Sequence, residues 1–383
     1  MTAARVVILG AGFGGLEIAT TLSQRCGDDA NVILIDRADA FVLGFSKLDV
    51  MFGRTSIDHV THRYADLVKP GVRFVQATIE AIDPATREVI TDRGTFEAEI
   101  LVVALGADLH PEATPGLVED GHEFYTVEGA VTTSEALAAF EGGRVVVGVT
   151  GTPFKCPPAP SETALLVHDF LAARGLLERS SVSLAMPFPV PIPPAPDASR
   201  AILAAFYERG IGWHRDALVR ELDPQRHVAL LSDGLELGYD LFLGIPVHRA
   251  PAVVVGAGLT LDGWIPVDPL TLETAYPDVY AVGDVTSVGT PKAGVFAEGQ
   301  ASVVAATILA RLQNSAPTST YDGHGVCYLE FGGDMVAKVD VTFVSGQPPA
   351  GVLEGPSTDL VADKVAFGAE RIRRWFDRAW TPL

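Results

Sequence analysis

A glycine-rich turn near the start of the chain constrains the fold more than any other feature of the sequence. The apolar run 5–9 is followed at once by Gly10–Gly15 (GAGFGG), after which a helical pattern begins. This order of strand, Gly-x-Gly-x-x-Gly turn and helix predicts a dinucleotide-binding unit, with the pyrophosphate at the helix N-terminus. We expect Gly10 to form the tight turn, Gly12 to admit the pyrophosphate, and Gly15 to pack the helix against the strand.

Three later segments extend this predicted cofactor site. A second strand, 31–35, ends at Asp36, where a carboxylate binds the ribose hydroxyls of a dinucleotide without a 2′-phosphate. Segments 99–107 and 278–284 are strands that end in small residues, which allow a cofactor to approach the backbone closely. The predicted cofactor-binding residues are Gly10, Gly12, Phe13, Gly14, Gly15, Asp36, Arg37, Thr78, Ala104, Gly106, Gly283, Asp284 and Lys292.

A cysteine in a proline-rich loop is the second chemical feature. The segment 150–162 (TGTPFKCPPAPSE) follows the apolar run 144–149 and precedes a helical pattern that ends near Gly175. Cys156 therefore lies just before a helix N-terminus and beside Lys155, and both features favour the thiolate. The alternative, a small buried hydrophobic residue, suits this position less well because prolines and a lysine surround it. We predict that Cys156 is reactive.

The same loop argues against a nicotinamide site. Residues 109–253 are predicted to form a second α/β unit, in which the turn after 144–149 would carry a second Gly-x-Gly-x-x-Gly motif. The third glycine of that motif is missing, and two prolines follow Cys156. We therefore expect no NAD(P)H to bind there.

The C-terminal segment differs in composition from the rest. A turn leads into a predicted strand that contains Cys327, with 336–344 as its hairpin partner. Residues 366–380 predict a short amphipathic helix with arginines on one side and Phe367, Ile372, Trp375, Phe376, Ala379 and Trp380 on the other. Two interpretations remain open for this helix: an interfacial helix that contacts anionic lipid, or a docking or dimer helix that covers the cofactor domain.

Composition bounds the protein as a whole. With 383 residues and a net charge of −20, the chain is large enough for two or three domains and unsuited to nucleic acid. Three cysteines do not indicate a disulfide scaffold, and neither a signal peptide nor a spanning apolar run is evident, so we expect a cytoplasmic protein. No metal site is predicted. The predicted class is α/β, two tandem Rossmann-like domains plus a small C-terminal α+β domain, with boundaries at 1–108 plus 254–316, 109–253 and 317–383.

These segments resemble a known superfamily. The strands 99–107 and 278–284 resemble the later FAD fingerprints of the pyridine nucleotide–disulfide oxidoreductases. Segments 155–162 and 326–328 are similar to those of sulfide:quinone oxidoreductases and of the flavin subunit of flavocytochrome c sulfide dehydrogenase.

The resemblance implies a role for each catalytic candidate. Asp284 would hold the ribityl chain of FAD, and Lys292 with the following helix N-terminus would stabilise reduced flavin. Cys156 and Cys327 would flank the flavin and carry sulfur, with Glu162 as base. Segment 42–47 lacks the cysteine that tethers FAD in the flavocytochrome, so noncovalent FAD is implied.

The function implied is oxidation of sulfide or a related sulfur species through the cysteine pair, with electrons passing via FAD to a quinone. Alternatives are a soluble sulfide dehydrogenase with a cytochrome-type acceptor, an NAD(P)H-dependent flavoprotein reductase, and a non-enzymatic redox sensor. A homodimer and a peripheral site on the inner face of the cell membrane are also left open.

Overall fold

A parallel sheet forms the first of two α/β units. The computed structural model describes residues 4–344 and 346–382. Val6–Leu9 is buried along its whole length, as expected for a strand with helices on both faces, and pairs with a neighbour on each side. The strands of this sheet, in spatial order, are Val279–Ala281, Ile100–Val103, Val6–Leu9, Val32–Asp36 and Val72–Gln76.

A second parallel sheet lies within the middle of the chain. Its central strand, Arg144–Val149, pairs in parallel with Ser181–Ala185 on one side and Leu241–Ile245 on the other. His122–Glu123 and Gly212–His214 complete its two edges. Two parallel-sheet units confirm the predicted α/β class with tandem Rossmann-like cores.

Smaller elements connect and cover these sheets. Antiparallel strands form three-stranded sheets from Ile79–Asp83, Glu88–Thr91 and Gly94–Glu97, and from Val219–Asp223, Val228–Leu231 and Glu236–Gly238. Two-stranded pairs join Ala40–Val42 to Thr61–Arg63 and Asp108–His110 to Val247–Arg249. The α-helices before the C-terminal segment span Phe13–Cys26, Ser46–Met51, Ile57–Val60, Leu117–Asp120, Val127–Ala139, Ala159–Ala173, Pro196–Arg209, Ala252–Gly256 and Gly294–Leu312.

The C-terminal segment combines an antiparallel sheet with a helix, as predicted, but the helix begins six residues earlier than the predicted 366–380 and ends at Phe376. His324–Gly332 and Met335–Thr342 form the expected hairpin, and Ala350–Ser357 adds a third strand. The helix Leu360–Phe376 follows. The sheet packs its apolar side against the second α/β unit, since Leu329 and Phe331 belong to the core built around the helix Ala159–Ala173.

The C-terminal helix docks inward, which favours the second of its two interpretations, a helix that covers the cofactor domain. Ile372, Trp375, Phe376 and Trp380 are all buried in the core of the first α/β unit. The Trp375 indole packs edge-on against Phe13 and Phe41, and its Nε1 donates to Glu17 at 3.0 Å. These apolar side chains are therefore already covered by protein, and the helix as docked offers them to no lipid surface.

The arginines of this helix are also partly committed to protein contacts. Arg371 donates to Glu298 at 2.8 Å, and Arg374 forms an ion pair with the buried Glu17. Arg373 and Arg378 remain exposed. Two of the four arginines on the predicted cationic face thus hold the helix against the protein and do not face an anionic partner.

One helix among the described residues, Gly294–Leu312, has the length and apolar composition that a membrane span requires. Half of the most apolar stretch of this helix is buried inside the protein, where the helix packs against the first α/β unit. This position is that of a core helix.

Replacing Trp375 with alanine tests how far the docked helix stabilises the protein. We expect Trp375→Ala to lower the free energy of unfolding by about 3–5 kcal/mol, because a fully buried aromatic side chain leaves a cavity. Arg373→Ala, on the exposed side of the same helix, should change it by no more than about 0.5 kcal/mol. Urea denaturation of both variants measures this, and an equal loss in the two would contradict the docking interpretation.

Candidate active site

A cavity of about 490 Å³ connects the carboxyl edge of the first sheet to the cysteine loop. Its wall includes residues that follow each of the five strands of that sheet, the place where open α/β sheets bind ligands. The predicted site residues on this wall are Gly10, Gly12, Phe13, Gly14, Asp36, Arg37, Thr78, Ala104, Gly106, Gly283, Asp284, Cys156, Glu162 and Cys327. Gly15 and Lys292 lie behind it.

The glycine turn has the geometry that a dinucleotide requires. Gly10 has a φ of +98°, and a Cβ atom there would lie 2.4 Å from the Ala104 carbonyl oxygen. A Cβ on Gly15 would lie 1.9 Å from the Gly10 oxygen, so Gly15 packs helix on strand. Gly12 differs, because a Cβ there would meet nothing within 4 Å. The turn therefore leaves open space beside Gly12, where the predicted pyrophosphate needs it.

Asp36 holds this turn from the second strand. Its carboxylate accepts a hydrogen bond from the Ala11 N–H at 2.6 Å and another from the Ala38 N–H at 2.8 Å. The buried Tyr64 hydroxyl donates to the Ala11 carbonyl at 2.6 Å. Sequence reasoning missed Tyr64, because only the folded chain brings it beside the turn.

Lys292 occupies a different position from the one that was predicted. Its ammonium donates to the carbonyls of Asp284 and Thr286 and lies 3.2 Å from the centre of the Trp264 ring. The side chain thus faces away from the cavity wall and supports the loop that carries Asp284. Burial raises the pKa of the Asp284 carboxyl, and the charges of Lys155 and Lys292 act against that rise.

Backbone hydrogen bonds fix the position of Cys156 at the cavity wall. Its N–H donates to the Lys292 carbonyl at 2.7 Å, and its carbonyl accepts from the Ala159 N–H at 2.8 Å. Its φ of +51° lies in the left-handed region, which costs a non-glycine residue about 1–3 kcal/mol. The fold accepts this cost at a residue whose thiol lies on the cavity wall.

The predicted lowering of the Cys156 pKa is wrong for the thiol as placed. Burial, followed by the charges of Cys327 and Glu162, raises this pKa well above its ordinary value. The helix does begin at Ala159, but its N–H contribution is smaller than the cost of burial. Burial also raises the pKa of Cys327 to about 12. Both cysteines are free thiols, and each therefore needs a base to lose its proton.

Glu162 is a buried carboxyl on the same wall as the two thiols. It belongs to the first turn of the helix Ala159–Ala173, is 3% exposed, and reaches the same wall as both thiols. Burial raises the pKa of its carboxyl to about 7, with Lys364 acting in the opposite direction. A carboxyl that ionises near neutral pH is suited to proton transfer.

Lys47 is a cavity residue that sequence reasoning missed. Its ammonium donates to the Tyr125 carbonyl at 2.5 Å, and the Tyr125 hydroxyl in turn donates to the Lys155 carbonyl at 3.0 Å. Burial lowers the pKa of Lys47 to about 8, and the charge of the Cys156 thiolate opposes this. The only sequence signal was a lysine within an otherwise apolar stretch, 41–48.

The wall fits a flavin dinucleotide. The helices Phe13–Cys26 and Gly294–Leu312 both start at the cavity, without a capping side chain or an acidic residue in the first turn. Their free N–H groups favour the pyrophosphate and a reduced, anionic ring. Gln300, also missed from sequence, accepts the Gly283 N–H at 2.7 Å and fixes the turn before Asp284.

Known proteins share this architecture. A family model described as pyridine nucleotide-disulphide oxidoreductase matches residues 4–307. The mitochondrial sulfide:quinone oxidoreductase of Mus musculus is 25% identical over 356 residues, which is 88% of this chain and 78% of that protein. The alternative NAD(P)H-ubiquinone oxidoreductase of Arabidopsis thaliana is 29% identical over 203 residues, 47% of this chain and 38% of that protein.

A solved structure is similar over almost the full chain. The X-ray structure of the sulfide:quinone oxidoreductase from Aquifex aeolicus superposes with a TM-score of 0.87 and 22% identity. The match covers 98% of this chain and 92% of that one.

Removing the charge of Lys47 should slow the reaction of Cys156 with an alkylating agent. In a Cys327→Ser background we expect Lys47→Met to lower the iodoacetamide rate about tenfold below pH 8, where the ammonium is charged and favours the thiolate. Mass spectrometry of the Cys156 peptide gives the rate. The effect should fade above pH 8, and Lys47→Arg should keep the rate high throughout. A constant ratio of rates across this pH range would contradict the electrostatic role.

Proposed function

Because the chain belongs to the pyridine nucleotide-disulphide oxidoreductase family and is sulfide:quinone oxidoreductase-like, we propose that it oxidises sulfide through Cys156 and Cys327. The protein is a flavin-dependent oxidoreductase. The electrons pass via FAD to a quinone, and a related small sulfur species is the alternative substrate.

One observation carries this proposal. Two thiols and a carboxyl that ionises near neutral pH lie on the wall of the same cavity as the dinucleotide turn. The thiols come from distant parts of the chain, and the charge of Cys327 is felt at Cys156. A sulfur substrate bound in this cavity meets both thiols, the base and the cofactor wall together.

The cysteines act by thiol–disulfide exchange. Oxidation of the two thiols, with bound FAD as the two-electron acceptor, would first join Cys156 and Cys327 in a disulfide. Sulfide then attacks this disulfide, so that a new S–S bond forms at one cysteine and the original bond breaks. One cysteine becomes a persulfide, and the other leaves as a thiolate. Glu162 accepts the proton that the attacking sulfur releases. Because burial disfavours both thiolates, this proton transfer is the step in which Glu162 matters most.

The wall residues would hold the cofactor. Gly12 and the N-terminus of Phe13–Cys26 would bind the pyrophosphate, Asp36 the ribose, and Asp284 the ribityl chain. Bound FAD supplies a two-electron acceptor that can afterwards reduce a quinone.

A nicotinamide substrate is the weaker candidate, although part of the chain is similar to an NAD(P)H-ubiquinone oxidoreductase. The helix Ala159–Ala173 begins in a proline-rich turn, and its first turn carries Glu162. A carboxyl at this helix N-terminus occupies the position where a pyrophosphate would bind, and its charge opposes that binding. The first turn is also buried from Ala159 to Glu162.

Replacing either cavity cysteine should abolish the reaction without loss of cofactor. We expect Cys156→Ser and Cys327→Ser each to keep FAD and to lower the rate of sulfide-driven flavin reduction by at least ~10²-fold, since each removes a required nucleophile. Anaerobic stopped-flow absorbance measures this rate.

Cys26→Ser is the matched control. Cys26 ends the first helix, away from the cavity wall, and its replacement should leave the rate unchanged. NADH should not reduce the flavin of the wild-type protein. Rapid bleaching by NADH, or a wild-type rate in either cavity variant, would refute the proposal.

The FAD should be noncovalent. The described cysteines on the cavity wall are Cys156 and Cys327, and the mechanism requires both sulfurs to remain available for sulfur chemistry. Acid precipitation should therefore release the yellow colour into the supernatant. Colour that stays with the pellet would contradict noncovalent binding.

A further inference from the structure

A cluster of charged side chains, buried except for the partly exposed Arg54, lies where three parts of the chain meet. Glu330, on the strand His324–Gly332, forms ion pairs with Arg54 at 2.5 Å and with Lys364 of the C-terminal helix. Arg54 also pairs with Asp49 at 3.3 Å. The Glu330 and Lys364 side chains are only 11% and 10% exposed. The first α/β unit and the C-terminal segment each contribute charges to this cluster.

The cluster contacts the second α/β unit at Glu162. The Glu330 N–H donates to Glu162 Oε1 at 2.9 Å, with both residues buried. Glu162 thus receives one hydrogen bond from the cluster and extends to the cavity wall with Cys156 and Cys327. It is the residue that connects the buried charges to the reactive thiols.

The charges around Glu162 shift the pKa of its carboxyl in opposite directions. The Lys364 and Arg54 cations favour the carboxylate, as does the Glu330 N–H, whereas the Glu330 carboxylate disfavours it. On the cavity side, Glu162 faces Cys156, Cys327 and the Tyr125 hydroxyl, and its charge raises the pKa of each of the three.

The three charged side chains nearest Glu162 do not line the cavity. Glu330 itself is held as a carboxylate, because Lys364 and Arg54 outweigh the effect of burial and lower its pKa. The Glu330 carboxylate and its two ion-pair partners therefore lie behind Glu162, outside the cavity wall.

We propose that Glu330, Lys364 and Arg54 are positioning residues that set the ionisation state of Glu162 and thereby the pH range in which the cavity thiols react. Burial, together with the Glu330 carboxylate, keeps Glu162 protonated up to neutral pH, and Lys364 and Arg54 prevent it from remaining protonated above that range. The role in catalysis rests on the proposed function, whereas the control of Glu162 ionisation does not.

Two substitutions should shift the pH at which the Glu162 carboxyl ionises, in opposite directions. Glu330→Gln keeps the backbone N–H but removes the neighbouring negative charge, so the Glu162 carboxyl should ionise about one pH unit lower. Lys364→Met removes a cation, so the carboxyl should ionise about one pH unit higher. Lys338→Met removes a cation paired with Glu354 on the same sheet and should leave the midpoint unchanged.

The ionisation is read directly in the resting holoenzyme. Infrared difference spectra between pH values report the carboxyl band, and the band that disappears in Glu162→Gln identifies Glu162. This readout needs no sulfide, which itself ionises near neutral pH. The pH profile of sulfide-driven flavin reduction is then measured for the same variants and should move in the same directions.

The outcomes test the control of Glu162 ionisation separately from the proposed sulfide oxidation. A structural role alone would lower stability in both variants without opposite shifts, so midpoints that do not move, or that move together, would overturn the inference. Should Lys364→Met fail to fold, Arg54→Gln provides the upward shift. Opposite infrared shifts in a protein that sulfide does not reduce would uphold the control of Glu162 and refute the proposed function.

Discussion

The hydrogen bond from the Cys156 N–H to the Lys292 carbonyl connects the two α/β units at the cavity wall. On one side it fixes a loop that leaves the second sheet, and on the other it fixes the segment just before the helix Gly294–Leu312. Lys292 in turn donates its ammonium to the Asp284 carbonyl. The thiol, the helix N-terminus and the Asp284 turn are therefore positioned by one continuous set of contacts, and the left-handed backbone at Cys156 is the conformation that makes them compatible.

Burial determines the chemistry of this site more strongly than local sequence does. A lysine and a helix N-terminus flank Cys156, yet removal from water raises its pKa, because the cost of burying a charge exceeds the stabilisation that one helix N-terminus supplies. The same constraint explains the ion pairs of Glu330, since a buried carboxylate is tolerated when cations compensate it. Where compensation is incomplete, as at Glu162, burial raises the pKa of the carboxyl toward neutrality.

Sequence reasoning succeeded where a signal is local and failed where it depends on distant contacts. The strand, glycine turn and helix around Gly12 are specified by adjacent residues, so the dinucleotide fold followed directly. The proline-rich loop likewise placed Cys156 before a helix. Lys292 was misplaced because its direction is set by Trp264 and by two carbonyls, contacts that only the folded chain supplies. Lys47 belongs to no sequence motif. The packing partner of Trp375 could not be predicted either, because an amphipathic helix has the same sequence pattern whether protein or lipid covers its apolar side.

The docking of Trp375 against Phe13 and Phe41 also bears on how the protein is made. The ribosome releases the N-terminal strands and the glycine turn first, but the aromatic residues that cover this unit come from the last part of the chain. Until Leu360–Phe376 emerges, the apolar surface around Phe41 stays exposed to chaperones and proteases. A chain that lacks this helix therefore carries an uncovered hydrophobic patch beside its cofactor turn.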